Sequence, residues 1–250
     1  MNNIQKQYVL MLADNALVLG QRMGEWLSHA PEMELDMAAG NFALDMIGQA
    51  KLFYELLANE DGEARTADEI AMTRREHEYV NVQLTEQPNL DWGHSSLRHY
   101  FFSVFLRLQY QGLENFPDEN VRAIAAKAIK EVDYHIRFAQ GWVIRLGDGT
   151  AESRNYMNAA LERLWRFTGA MFTPSSAEQN LIEAGSIRPL SEIKFAWETQ
   201  IFPVLSEATL ELPEDTRMLL GGKQGKHTEH LGHILAELQY MQRSYPGLNW

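Results

Sequence analysis

Between Asp118 and Leu146, Val121, Ile124, Ala125, Ala128, Val132, His135, Ala139, Trp142 and Leu146 recur mostly at steps of three or four. That spacing puts them on one stripe of a long α-helix, while Lys127, Lys130, Glu131 and Arg137 fall mainly on other faces. Such a stripe has to be buried against a second layer, either helices or a sheet. Composition chooses between them: 30 Leu, 25 Ala and 11 Met stand against 9 Val and 12 Ile. Helix formers prevail over strand formers, so the chain is expected to be all-α.

About eight helices and a C-terminal one are predicted. The first covers 4–28 and stops at His29-Ala30-Pro31, and the second covers 34–59 with Leu35, Ala38, Phe42, Met46, Gln49, Phe53 and Leu57 on one stripe. A third opens at the capping box Thr66-Ala67-Asp68-Glu69 and runs to just before Pro88, and a fourth covers 92–113. The fifth covers 118–146, and a sixth follows Gly147-Asp148-Gly149 as far as Phe172. A short seventh runs from the capping box at Ser175 to Gly185. The eighth covers 190–210, where Pro203 should kink or split it, and the last follows the loop 221–225 over 228–244. No repeat or separating linker interrupts the 250 residues, so a single helical domain over 1–250 is expected. Its core should include Phe42, Met46, Phe101, Phe105, Val132, His135 and Trp142.

Several function classes are excluded or disfavoured. With 34 acidic and 22 basic residues, the net charge of −12 opposes a phosphate backbone, so no nucleic-acid partner is expected. Cysteine is absent, which removes thiolate catalysis, Cys-ligated zinc and Fe–S clusters. No apolar run is long enough to span a bilayer, and the apolar stretch after Tyr8 is broken by Asp14 with no cleavage site following. A cytoplasmic protein without membrane contact is expected.

Long helix bundles often house metals. A di-metal carboxylate site needs a Glu from each of two helices and a Glu-x-x-His pair from each of two others. Here His135 points inward, but Val132 stands three residues before it, and Gln49 follows Met46 at the same spacing. On the first helix Asp14, Gln21 and Glu25 lie near mid-height, and solvated or capping roles are expected for the two carboxylates. His227-Thr228-Glu229-His230-Leu231-Gly232-His233 is not the His-Glu-x-x-His zinc motif, and capping by Thr228 is expected there. The preceding Gly221-Gly222-Lys223-Gln224-Gly225 lacks phosphate-loop spacing and reads as a structural turn. No nucleophile elbow is present either.

Other motifs carry a family resemblance. They are Gly24-Glu25-Trp26 with His29-Ala30-Pro31-Glu32, Asp45-Met46-Ile47-Gly48-Gln49-Ala50, and Thr85-Glu86-Gln87-Pro88-Asn89. Ala126-Lys127-Ala128-Ile129-Lys130-Glu131, Tyr134-His135, Leu164-Trp165-Arg166-Phe167-Thr168 and the segment from Gly221 to Gly232 complete the set. Together they resemble the ferritin-like components of the bacterial 1,2-phenylacetyl-CoA epoxidase, on the side of its C subunit, over essentially the whole chain. The resemblance implies a ferritin-like bundle with additional helices, paralogous to the catalytic A subunit, which carries a di-iron centre. Against that paralogue's pattern, Gln21, Met46, Gln49, Ser103 and Val132 stand where ligands belong, and His135 alone survives.

The resemblance therefore implies a non-catalytic structural subunit with no cofactor of its own. Its partners would be the catalytic subunit with its di-iron centre, a reductase among the other components, and phenylacetyl-CoA through the complex. The chain alone is expected to expose apolar surface and self-associate. Family substrate-contact segments match Glu78, Tyr79, Val80 and Asn81, and Gln179, Asn180 and Leu181. Partner-facing or solvated helix positions are the favoured reading of both segments. The alternative is an independent ferritin-like metal oxygenase using a non-standard site such as Glu229, His230, His233 and His135.

Overall fold

Every residue from 11 to 20 is buried, Asp14 and Asn15 included, so the middle of the first helix is enclosed on all sides. The computed structural model describes all residues except 61, 215, 247, 249 and 250. Its helices are α1 (Asn3–Gly24), α2 (Met33–Asn59), α3 (Ala67–Met72), α4 (Trp92–Gln111), α5 (Glu119–Gly147) and α6 (Ala151–Trp165). They continue with α7 (Gly169–Phe172), α8 (Ser176–Glu183), α9 (Leu190–Glu207), α10 (Glu229–Leu238) and α11 (Tyr240–Ser244). Among the described residues there is no strand.

α1 packs along α2, and α4 along α5. Short connections make each pair an antiparallel hairpin, whereas the link from α2 to α4 spans residues 60–91. Four bundle helices with one long crossover are the ferritin-like arrangement. The hairpins meet where the Trp26 indole donates to Ser95 Oγ (2.9 Å) and Tyr8 stacks on Phe116. α6 and α9 cover α4, while α8 and α10 cover α1. Gly20 permits the close approach of α1 to α2, since a Cβ there would lie 2.9 Å from Ile47 and 3.3 Å from the Ala43 carbonyl.

The expected caps at Thr66 and Ser175 form as complete capping boxes, and Asp118 caps α5. Several boundaries differ from expectation. α1 ends at Gly24, after which the chain turns through Ser28 at φ 67°. The sixth helix breaks at residues 166–168 into α6 and α7, and the last divides into α10 and α11. α9 runs on through Pro203 without a split. On α5 the buried stripe ends on Val143 and Gly147 instead of Trp142 and Leu146, because Gly147 abuts Ala208 beyond α9. Trp142 is thus half-buried, while Phe42, Met46, Phe101, Phe105, Val132 and His135 all lie in the core.

The largest difference is the crossover. Instead of a helix to Pro88, α3 stops after six residues, a 3₁₀ turn follows at Glu76–Glu78, and buried irregular chain occupies 79–87. Its backbone groups are satisfied by side chains of the bundle, which makes burial without a helix tolerable. Asp14 accepts from the Val80 amide (2.9 Å), Asn15 from the Val82 amide (2.8 Å), and Arg22 donates to the Glu86 carbonyl (2.8 and 3.0 Å). Arg98 donates to the Gln87 carbonyl and to Asn89 Oδ1 (2.7 Å).

Asp14 is neither solvated nor a cap, contrary to the sequence expectation. It is fully buried, pairs with Arg74 through both terminal guanidinium nitrogens (3.0 Å for Nη1–Oδ2), and accepts from the Tyr54 hydroxyl (2.6 Å). Burial works against the Arg74 charge, but the Asp14 carboxylate more than compensates and raises its pKa. Arg74→Ala would leave Asp14 buried and unpaired, and is expected to destabilise the protein by about 3–5 kcal/mol in urea unfolding. Adding Asp14→Asn should recover much of that loss.

Candidate functional site

The mid-bundle positions singled out from sequence lie together on facing helices. Met46 and Gln49 are buried on α2, Ser103 on α4, Val132 and His135 on α5, and Gln21 is half-buried on α1. Each polar group that is bonded is bonded within the protein. Gln49 accepts from the Tyr110 hydroxyl (3.0 Å) and donates to Glu131 (2.9 Å), and His135 Nε2 sits 3.1 Å from Asp45 Oδ2. Asp45 and Gln49 are one turn apart on α2, as are Glu131 and His135 on α5, so two parallel ties join the helices.

Asp45 and Glu131 each precede the inward position by one residue. A helix rotates about 100° per residue, which leaves both carboxylates at the rim, half-exposed, instead of in the interior. Below the ties lies His99, which sequence reasoning missed. It is buried on α4 with its ring 5.0 Å from that of His135 and 5.0 Å from that of Phe42. Burial, His135 and Arg98 hold its pKa well below the ordinary value, so the ring is neutral. Among the described residues, neither His99 nitrogen nor His135 Nδ1 has a hydrogen-bond partner.

Amides, a thioether and an isopropyl group do not fit a di-iron centre, which needs several carboxylates to offset the metal charge. Among the described residues, no group of three His, Asp or Glu side chains is placed to hold a metal ion. The alternative cluster is not assembled either. His135 is buried against Phe42, whereas Glu229 and His233 are exposed on α10.

A second polar cluster is built where the crossover meets the C-terminal segment. Glu86 is fully buried; one carboxylate oxygen accepts from Asn81 Nδ2 (3.0 Å) and His227 Nδ1 (2.8 Å), the other from the Thr228 amide (2.7 Å) and hydroxyl (2.8 Å). Thr228 therefore precedes α10 as its N-cap residue, but its side chain serves Glu86 instead of the helix amides. His227 Nε2 faces the Tyr79 carbonyl at 2.8 Å. With an acceptor at each nitrogen, His227 is an imidazolium. Nearby, Lys223 is buried on Glu178 (2.8 and 3.0 Å), and Gly222 fits where a Cβ would collide with the Asn81 carbonyl. The glycine loop is the structural turn expected from sequence.

The phenylacetic acid catabolic protein family model matches residues 2–250. The chain belongs to that family. It is 44% identical over 243 residues to the C subunit of the 1,2-phenylacetyl-CoA epoxidase of Escherichia coli (strain K12), covering 97% of this chain and 98% of the relative. The family resemblance drawn from motifs is therefore correct, and the bundle is the all-α ferritin-like one it implied.

The two segments matched to family substrate contacts flank the glycine loop, Asn81 against Gly222 and α8 beside Lys223. Glu78 is exposed, but Tyr79 and Asn81 are buried: the Tyr79 hydroxyl donates to the Ala71 carbonyl, and Asn81 binds Thr85 and Glu86. Val80, half-buried, gives its amide to Asp14. Glu78 closes the 3₁₀ turn and the other three lie on irregular chain, not on the helix expected there. On α8, Gln179 and Asn180 are exposed and bond within their own helix, to Glu183 and the Ser176 carbonyl, while Leu181 is in the core.

The His227 pair has a pH signature. Burial lowers the imidazolium pKa, but the hydrogen bond and charge of Glu86 outweigh it, and the net shift is upward from 6.5. A raised folded pKa contributes stability that is complete below the unfolded value and is lost as pH rises through the folded value. The gap in unfolding free energy between the native protein and His227→Gln should be widest near pH 6, taken as about half a unit below the unfolded value, and narrow on raising the pH. A gap that widens with pH would contradict the assignment.

Proposed function

We propose that this chain is a non-catalytic structural subunit of a multicomponent phenylacetyl-CoA epoxidase, a single ferritin-like domain that supports a di-iron catalytic partner. It carries no cofactor of its own and works with the other components, a reductase among them. One observation supports this most: the interior positions hold Gln21, Met46, Gln49 and Val132, and Gln49 and His135 are spent on ties to Tyr110, Glu131 and Asp45. The relative named as the C subunit of an epoxidase, matched nearly end to end, supports the assignment to the complex. Of the described residues, no helix is long and apolar enough to cross a membrane, in keeping with action on a CoA thioester in water.

Elemental analysis of the chain purified alone should find no stoichiometric iron. Val132→Glu should not create a site, because Gln21, Met46 and Gln49 would still supply no carboxylate. Two tightly held irons per native chain would defeat the proposal.

A further inference from the structure

The C-terminal helices hang from a short root. Lys223, buried on Glu178, anchors the chain just before it turns through Gly225 at φ 73°, where a Cβ would collide with the His77 carbonyl. Beyond that turn, residues 226–244 form an arm. At its root His227 and Thr228 bond to Glu86, and Gln83 Nε2 donates to the Lys226 carbonyl (2.8 Å). Further along, Leu231, Ile234 and Leu235 are buried, and Gln239 Nε2 donates to the Arg74 carbonyl (2.8 Å) and the Tyr79 hydroxyl (3.0 Å). The crossover is thus bonded to the bundle through Val80, Val82 and the Glu86 carbonyl, and to the arm through Tyr79, Gln83 and the Glu86 carboxylate.

The root, unlike the far end, depends on one proton. The His227 ring is buried between two acceptors, and both are served only while both ring nitrogens carry hydrogen. A neutral imidazole has a single N–H, so loss of the proton leaves one buried acceptor facing a bare nitrogen and strips the counter-charge from a buried carboxylate. Other charged groups surround the ring. Glu76 on the 3₁₀ turn favours the imidazolium. Arg22 on α1 donates to the Glu86 and His230 carbonyls and to Glu25, while Lys226, Glu229, His230 and His233 belong to the arm itself. Burial and Arg22 push His230 below its ordinary value, so it is neutral before His227 gives up its proton.

We infer that the Glu86–His227 contact is a pH-sensitive clasp on the arm: residues 226–244 open as one unit about Gly225, rarely while His227 is an imidazolium and more often once it is neutral. Such sub-global opening is a property of segments tied by few contacts, and glycine in the left-handed region supplies the pivot.

Amide hydrogen exchange of the native chain, resolved by residue between pH 6 and 8.5 and corrected for the intrinsic pH dependence of exchange, tests this. The Thr228 amide and the amides of 232–238 should lose protection together as pH rises, by about threefold or more, while those of α5 keep theirs. His227→Gln should show the lower protection already at pH 6, with no further pH dependence. Thr228→Ala removes one donor to Glu86 and leaves the imidazolium in place. It should lower arm protection at every pH and retain the pH dependence, which keeps the test open if His227→Gln fails to fold. Arm protection independent of pH in the native chain would overturn the inference, as would a Thr228 amide that exchanges while α10 stays protected. So would a pH dependence that persists in His227→Gln, which would move the trigger to Lys223, whose charge burial disfavours, or α5 losing protection in step with the arm.

Discussion

A carboxylate at the centre of an enclosed helix needs a partner, and Asp14 obtains one by drawing Arg74 inward from the crossover. Removing both charges from water is costly, and the pair is tolerated because Tyr54 and the Val80 amide complete the carboxylate's hydrogen bonds. That single contact fixes where the crossover enters the bundle. Once residues 79–87 lie there, Asn15, Arg22 and Arg98 can cap their backbone groups, and Glu86 comes to face His227. The C-terminal helices are then docked by Glu86 and by Lys223 on Glu178. Three buried ion pairs thus fasten irregular chain to a helical frame that supplies none of its backbone hydrogen bonds through regular secondary structure.

The mid-bundle ties work on a smaller scale. At mid-bundle, α2 and α5 are joined by Gln49 with Glu131 and Asp45 with His135. These hydrogen bonds hold the two helices in register. Burial, with His135 and Arg98, also keeps His99 neutral at this level.

The regular part of this fold was legible because its signals are local. Periodic stripes located α2 and α5, and hydroxyl-to-Glu spacing located the starts of α3 and α8. His135 and Gln49 stood out as polar residues on apolar stripes. The ion pairs were not legible, since Asp14 and Arg74 are far apart in sequence, as are Glu86 and His227, and a charge read alone defaults to the surface. Asp14 did carry one clue: it interrupts a run of apolar residues that are buried on every side. Glu178 was placed correctly as a capping residue, yet nothing near it announced Lys223. The irregular crossover was missed for the same reason, because side chains from distant helices satisfy it and its own composition looks helical.

The central claim is that the interior polar groups of this chain build architecture while the chemistry belongs to its partner. Turnover of phenylacetyl-CoA with reductase and oxygen, measured for this chain by itself, for its catalytic partner by itself and for the two combined, tests it most directly. The account predicts no product from this chain by itself and sustained activity only when the two are combined. Product formed by this chain without the catalytic partner, or full activity of that partner without this chain, would contradict it.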